Sequence, residues 1–316
     1  MSFLSSFLAA FIPMTAYLII IWRLDRYERE PFTKVLKHFI WGAVGAIFFG
    51  FIFSILLSST IQIFTTEQTI ISFMGAVIIA PITEEIVKAA YLFRSYRKSY
   101  FDNITDGLVY GGAIGLGFGM TENLLYFSVY DTNLTQWISV VITRSIFSAV
   151  MHAIATATVG AFLSKMKFTT NSKKYIYPFI GLALAMLFHA TWNFSLTFDF
   201  TYYLGLLFML CLIMCFFFVF NSSLKNEQLI IIEELKNEIS LKNTDDFIPD
   251  SKFNLREFTK RIKSKKERKR FTNFATKLAF RKLQARKSEG IQKDKYLTDI
   301  EVLRNKLTEI NKTISA

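Results

Sequence analysis

The chain has 316 residues, of which 52% are hydrophobic and 34 are Phe, and its formal net charge is +12. Residues 1–220 hold 14 Lys and Arg against 11 Asp and Glu, whereas residues 221–316 hold 23 against 14. An oily first part and a basic second part exclude a single soluble domain, a disulfide scaffold and a fully disordered chain. The pattern predicts a transmembrane domain over 1–220 and a basic tail over 221–316.

A spanning helix needs about 20 mostly apolar residues. Seven runs qualify: Phe3–Trp22, Phe39–Phe64, Ile70–Phe93, Ile104–Phe127, Trp137–Leu163, Ile176–Phe198 and Tyr202–Phe220. The first is read as a retained span, because it is long for a signal peptide and has little charge ahead of it. Loops 23–38, 94–103 and 164–175 contain five, three and four Lys and Arg, while loops 65–69, 128–136 and 199–201 contain none. By the positive-inside rule this predicts an all-α polytopic bundle with its N-terminus outside and a cytoplasmic tail, in the cell membrane.

Small residues recur every fourth position: Gly107, Gly111, Gly115 and Gly119 in the fourth span, and Ala149, Ala153, Ala157 and Ala161 in the fifth. The second span has Gly42, Ala46, Gly50 and Ser54. Such ridges let membrane helices approach closely. Cys211 and Cys215 lie on one side of the last span and are read as small apolar packing residues.

Charges at membrane depth are costly and point to function. The third span contains Glu84, Glu85 and Lys88, with Lys88 within i+4 and i+3 reach of the two carboxylates. One carboxylate pairs with the ammonium and the other is left over, an arrangement suited to acid–base work. Pro81 lies just before them and loosens the backbone. Glu122 and Asn123 follow the glycine ridge of the fourth span. His152 lies in the fifth span and His189, Trp192 and Asn193 in the sixth, whereas His38 falls at the cytoplasmic end of the second and reads as interfacial. At about 1.5 Å per residue, Glu84, His152 and His189 fall roughly 14–20 Å from the cytoplasmic ends, with Glu122 somewhat higher. Their similar depth predicts a polar, hydrated chamber.

In the tail, Leu224–Asn243 has the period of an amphipathic helix, and Asp245, Asp246, Pro249 and Asp250 read as a linker. Lys260, Arg261, Lys263, Lys265, Lys266, Arg268, Lys269 and Arg270 precede Phe271, Phe274, Leu278 and Phe280. A basic amphipathic stretch of this kind suits an anionic lipid surface. No nucleic-acid-binding motif is present, so no nucleic acid partner is expected. Leu297, Ile300, Leu303, Leu307 and Ile310 suggest a final, self-associating helix.

Taken in order, Glu84-Glu85-x-x-Lys88, Phe118-x-x-x-Glu122-Asn123, isolated His152, and His189-x-x-Trp192-Asn193 resemble the PrsW family of intramembrane proteases, within the CAAX prenyl endopeptidase and Abi superfamily. Asp25 to Pro31 resembles that family's acidic segment ending in Pro. The resemblance covers roughly residues 10–200 and leaves out the tail. CAAX and Abi proteins carry His where this chain has Glu122, so prenylated substrates are not implied. The resemblance implies cleavage of a single-pass membrane protein from the outer side, in the family an anti-sigma factor of an envelope-stress cascade.

Two mechanisms suit these residues. Glu84 or Glu85 activates water with help from His152 or His189, and Asn193 or a histidine stabilises the oxyanion. Alternatively His152, His189 and Glu122 bind zinc and a Glu of the pair acts as base. Lys88 and Asn123 support the site in either case. The cofactor is accordingly none or zinc. The rival function is an ion- or proton-coupled transporter or channel using the same buried Glu and His, although the internal repeats that such proteins show are absent.

Overall fold

In lipid a backbone must satisfy its own polar groups, so long apolar runs become helices. The computed structural model describes residues 2–315 except 28, 99, 102, 130–132, 170–171, 236–237, 239–258, 260–261 and 263. It is all-helical, with no strand among the described residues. Two compact units divide it, Met1–Asp25 with Glu30–Phe220 and Arg26–Arg29 with Asn221–Ala316.

The first unit is built from α1 (Phe3–Leu24), α2 (Phe32–Ile61), α3 (Gln68–Ser95), α4 (Ile104–Val129), α5 (Leu134–Lys167), α6 (Ser172–Ser195) and the start of α7 (Asp199–Leu235). All but α4 are long and apolar enough to cross a membrane. The glycines and polar groups of α4 lower its hydropathy, and its position explains why that is tolerated. Residues Thr105 to Gly119 are all buried between other helices. A Cβ on Gly107, Gly111 or Gly115 would overlap the α5 carbonyls of Gly160, Thr156 and His152. On another face, Gly117 meets the Phe39 carbonyl and Gly42 of α2 meets that of Ile114. A helix enclosed by helices needs small surfaces, not lipid-facing Leu and Ile.

This close approach sets the position of His152, and Gly115→Ala tests it. The added methyl meets the His152 carbonyl, so overpacking of about 1–3 kcal/mol is expected. A lower thermal midpoint in detergent, with reduced activity, checks this. Gly75→Ala, whose methyl would meet only the Ser58 hydroxyl at 3.9 Å, is expected to keep the midpoint.

Three helices contain a π-helical turn: Trp41–Ala46 in α2, Gly75–Ile79 in α3 and Arg144–Ser148 in α5. Such turns often mark functional sites. In α3 the cause is local. The Ala80 N–H bonds to the Gly75 carbonyl, five residues back. The next residue, Pro81, has no N–H to offer Ala76. The Ala76 carbonyl instead accepts the Asn193 side-chain amide of α6 at 2.8 Å.

His38 is buried rather than interfacial. Its ring bonds to the Lys34 carbonyl and Ser95 hydroxyl and stacks on Tyr110. Cys211 and Cys215 are exposed on α7 rather than packed.

In the second unit the end of α7 is joined by α8 (Lys265–Lys287) and α9 (Gly290–Ser315). Ser264 caps α8 by accepting the Glu267 N–H. Gly290 opens α9 at φ +56°, a conformation that favours glycine. Phe271, Leu278 and Phe280 are buried with Tyr296, Ile300, Leu307 and Ile310. The apolar face expected to meet lipid is therefore covered by α9, and most of the final helix's apolar face is spent on the same contact, not on self-association. Leu297 alone of that row is exposed. Burial raises the Glu238 pKa, but hydrogen bonds from Arg304 and Lys282 outweigh it and hold the carboxyl below its usual range. Lys265, Lys266, Lys269 and Arg270 are exposed on α8. Lys260, Arg261, Lys263 and the acidic linker lie outside the described residues. The amphipathic run after Leu224 is the continuation of α7 as far as Leu235.

Candidate active site

Glu84, Glu85 and Lys88 share one face of α3 because three- and four-residue spacings stack on a helix. The Lys88 ammonium has three N–H donors and uses all of them. It donates to Glu85 Oε1 at 2.8 Å, to Glu84 Oε2 at 3.3 Å and to His152 Nδ1 at 2.9 Å. It also lies 3.7 Å from the centre of the Phe118 ring.

The two carboxylates differ in surroundings. Glu85 is completely buried; besides Lys88 it accepts His189 Nδ1 at 3.0 Å and the Thr156 hydroxyl at 3.3 Å. Because a carboxylate only accepts, His189 carries a proton on Nδ1, and in the neutral ring the lone pair is on Nε2. That nitrogen lies 3.9 Å from Glu84 Oε2, too far for a direct hydrogen bond. The Glu84 side chain retains 14% exposure.

His152 is fixed from both ends. Since Lys88 donates to Nδ1, the proton sits on Nε2 and is donated to Glu122 Oε2 at 2.7 Å. The His152 and His189 rings are perpendicular, with centres 4.7 Å apart. Ligand atoms of Glu84, His152 and His189 all lie within 4.8 Å of one another. One carboxylate and two imidazoles are a donor set used by catalytic zinc. The hydrogen bond from Glu85 orients His189 as outer carboxylates orient metal-ligating imidazoles. The donor types therefore suit a zinc-type ion, with Glu84 where the sequence reading put Glu122; because both His152 ring nitrogens are engaged, His152 ligates such an ion only by giving up its bond with Lys88 or with Glu122.

Glu122 is engaged elsewhere. Its Oε2 is 2.8 Å from Arg144 Nη2 as well as 2.7 Å from His152. Asn123 Oδ1 accepts Arg144 Nε at 3.1 Å. Arg144 is the residue the sequence reading missed. Its signal was present, a cation ten residues into an apolar helix.

These groups meet a cavity of about 210 Å³ lined by Ala76, Glu122, Tyr126, Arg144, Ser148, His152, Trp192, Asn193, Leu196 and Thr197. Its wall comes from the start of α3 and α5 and the end of α4 and α6, the helix ends joined by loops without Lys or Arg. Glu122 is the carboxylate on that wall; Glu84 and Glu85 are not on it. Asn193 reaches the wall but gives its amide to Ala76.

The model of the family described as "PrsW family intramembrane metalloprotease" matches residues 30–221. Among curated proteins, the chain is 29% identical over 213 residues to Protease PrsW of Clostridioides difficile strain 630, covering 67% of this chain and 87% of that protein. It is 29% identical over 208 residues to Protease PrsW of Geobacillus kaustophilus, covering 65% and 85%. It is 28% identical over 192 residues to Protease PrsW of Bacillus subtilis strain 168, covering 60% and 81%. No solved structure matches the chain.

Proposed function

The chain belongs to the PrsW family of intramembrane proteases, a multi-pass cell membrane peptidase, and on that premise we propose that it hydrolyses a single-pass membrane protein in the cavity between α3, α4, α5 and α6. The observation that carries this reading is the convergence of Glu84, His152 and His189 within 4.8 Å beside a cavity that His152 itself lines. All the relatives named above are proteases, and none of them favours a transporter.

In this reading Glu84, His189 and, once its bond with Lys88 or Glu122 is released, His152 would hold a divalent metal such as zinc, which would supply Lewis-acid activation of water and of the peptide carbonyl. Glu85 orients His189, and Lys88 holds Glu85, Glu84 and His152 in register. Glu122, on the cavity wall, takes the proton from water, and the Nε2–H of His152 holds its carboxylate in place. The positive-inside rule puts the loops without Lys or Arg, and so the cavity mouth, on the outer side. The tail is then cytoplasmic. There Lys265, Lys266, Lys269 and Arg270 approach anionic lipid through charge alone, since their apolar neighbours are buried. The substrate inferred from the family resemblance is a membrane-anchored anti-sigma factor.

Metal removal tests the site. The purified protein is expected to carry about one zinc-type ion per chain, to lose cleavage with a chelator and to regain it with added zinc. Cleavage unaffected by chelator but abolished by Glu122→Gln would instead support a histidine-assisted glutamate mechanism without metal.

A further inference from the structure

We propose that Arg144 is a catalytic residue of this protease: its unengaged guanidinium edge receives the scissile carbonyl oxygen and stabilises the charge that develops there. This rests on the proteolytic reading of the same cavity.

Arg144 lies ten residues into α5, about 15 Å from the start of the helix at the usual rise. A cation at such depth is kept only with a partner and usually a task. Eight residues separate it from His152, which would turn the two about 80° apart on a regular helix. The π turn Arg144–Ser148 absorbs one residue and returns them to one face. Both then line the cavity.

The guanidinium is held in a fixed plane. Its Nε donates to Asn123, Nη2 faces Glu122, and its carbon lies 3.6 Å from the centre of the Tyr126 ring. Nη1, with two N–H groups, has no partner among the described residues. Arg144 is also the only cation on the described cavity wall, because Lys88 is wholly buried behind it. A single Glu122 oxygen lies between the guanidinium and the His152 ring. Nη1 shares its carbon with Nη2, which lies 2.8 Å from Glu122 Oε2, so a peptide carbonyl presented to Nη1 is held within one guanidinium's width of the group that activates water.

In the step that follows, the water oxygen bonds to the carbonyl carbon and the C=O electron pair moves onto oxygen. The water proton passes to Glu122, and Nη1 donates to the oxyanion. The C=O bond then re-forms, the C–N bond breaks, and the proton passes to the departing nitrogen, leaving a carboxylic acid and an amine. A preorganised donor aimed at the oxyanion acts mainly in the transition state.

The test uses the full-length protein in proteoliposomes with a single-pass substrate that the wild type cleaves. Arg144→Gln is expected to lower kcat by about 10²–10³-fold with KM nearly unchanged. Arg144→Lys should recover part of the loss. Affinity for a peptide phosphonate, which mimics the tetrahedral oxyanion, should fall in parallel with kcat/KM. If removing the guanidinium unbalances Glu122 and lowers the thermal midpoint, Glu122→Gln with Arg144→Gln keeps the pair neutral. That double variant should bind phosphonate more weakly than Glu122→Gln alone. Retained kcat in both Arg144 variants, or lost kcat with undiminished phosphonate affinity, overturns the proposal. A wild type that cleaves no membrane substrate overturns the proteolytic reading and this proposal with it.

Discussion

Glu122→Gln is expected to lower kcat by about 10²–10⁴-fold, the usual contribution of a positioned general base, while the protein stays folded and keeps the zinc-type ion proposed above. Glu84→Gln should abolish cleavage for a different reason, by removing a ligand and lowering metal content. The distinction comes from placement. Glu122 lies on the cavity wall and accepts the Nε2 proton of His152, whereas Glu84 faces the Nε2 lone pair of His189 behind that wall. Single-turnover cleavage, metal content by elemental analysis and the thermal midpoint, measured on the same preparations, separate the two effects. Equal loss of metal in both variants would place Glu122 in the ligand set. Undiminished cleavage by Glu122→Gln would remove it from the chemistry.

Lys88→Met should be the most destabilising single change in the membrane unit, by about 3–5 kcal/mol. Its ammonium is wholly buried and donates to two carboxylates and an imidazole at once. Removal leaves Glu84 and Glu85 side by side without their shared cation, and an uncompensated buried charge is far more costly than a missing pair. Lys88→Met combined with Glu85→Gln removes the fully buried charge as well, and should recover much of the loss. Thermal unfolding in detergent checks both. A Lys88→Met midpoint equal to that of the wild type would mean the ammonium is not what holds α3 to α5.

The helices were legible because the membrane leaves the backbone little choice. Each of the seven apolar runs became a helix, and the Gly107–Gly119 ridge lies against α5 as its four-residue spacing implies. The local triad of Glu84, Glu85 and Lys88 was readable for the same reason, since i+3 and i+4 neighbours must meet. What crosses between helices was not. Whether Glu84 or Glu122 meets the two histidines depends on helix rotation, and the π turns at Gly75–Ile79 and Arg144–Ser148 shift that phase away from a 3.6 period. Arg144 is marked in the sequence by its charge in an apolar run, but its role shows only once Glu122, Asn123 and Tyr126 are seen around it. The low hydropathy of α4 makes sense only when its neighbours are known. The apolar face of Phe271, Leu278 and Phe280 marked an amphipathic helix, but an amphipathic pattern does not say whether lipid or another helix covers it.

The most direct test of intramembrane hydrolysis at this cluster is to map the cut itself. Wild-type protein and Glu122→Gln are reconstituted in proteoliposomes with a panel of single-pass membrane proteins, and the products are identified by mass spectrometry. The expected result is a single cut in the transmembrane segment or at its boundary, in the half of the bilayer reached by the end of α6, and no such product with Glu122→Gln. Cuts confined to water-exposed segments, or identical products from both proteins, would contradict it.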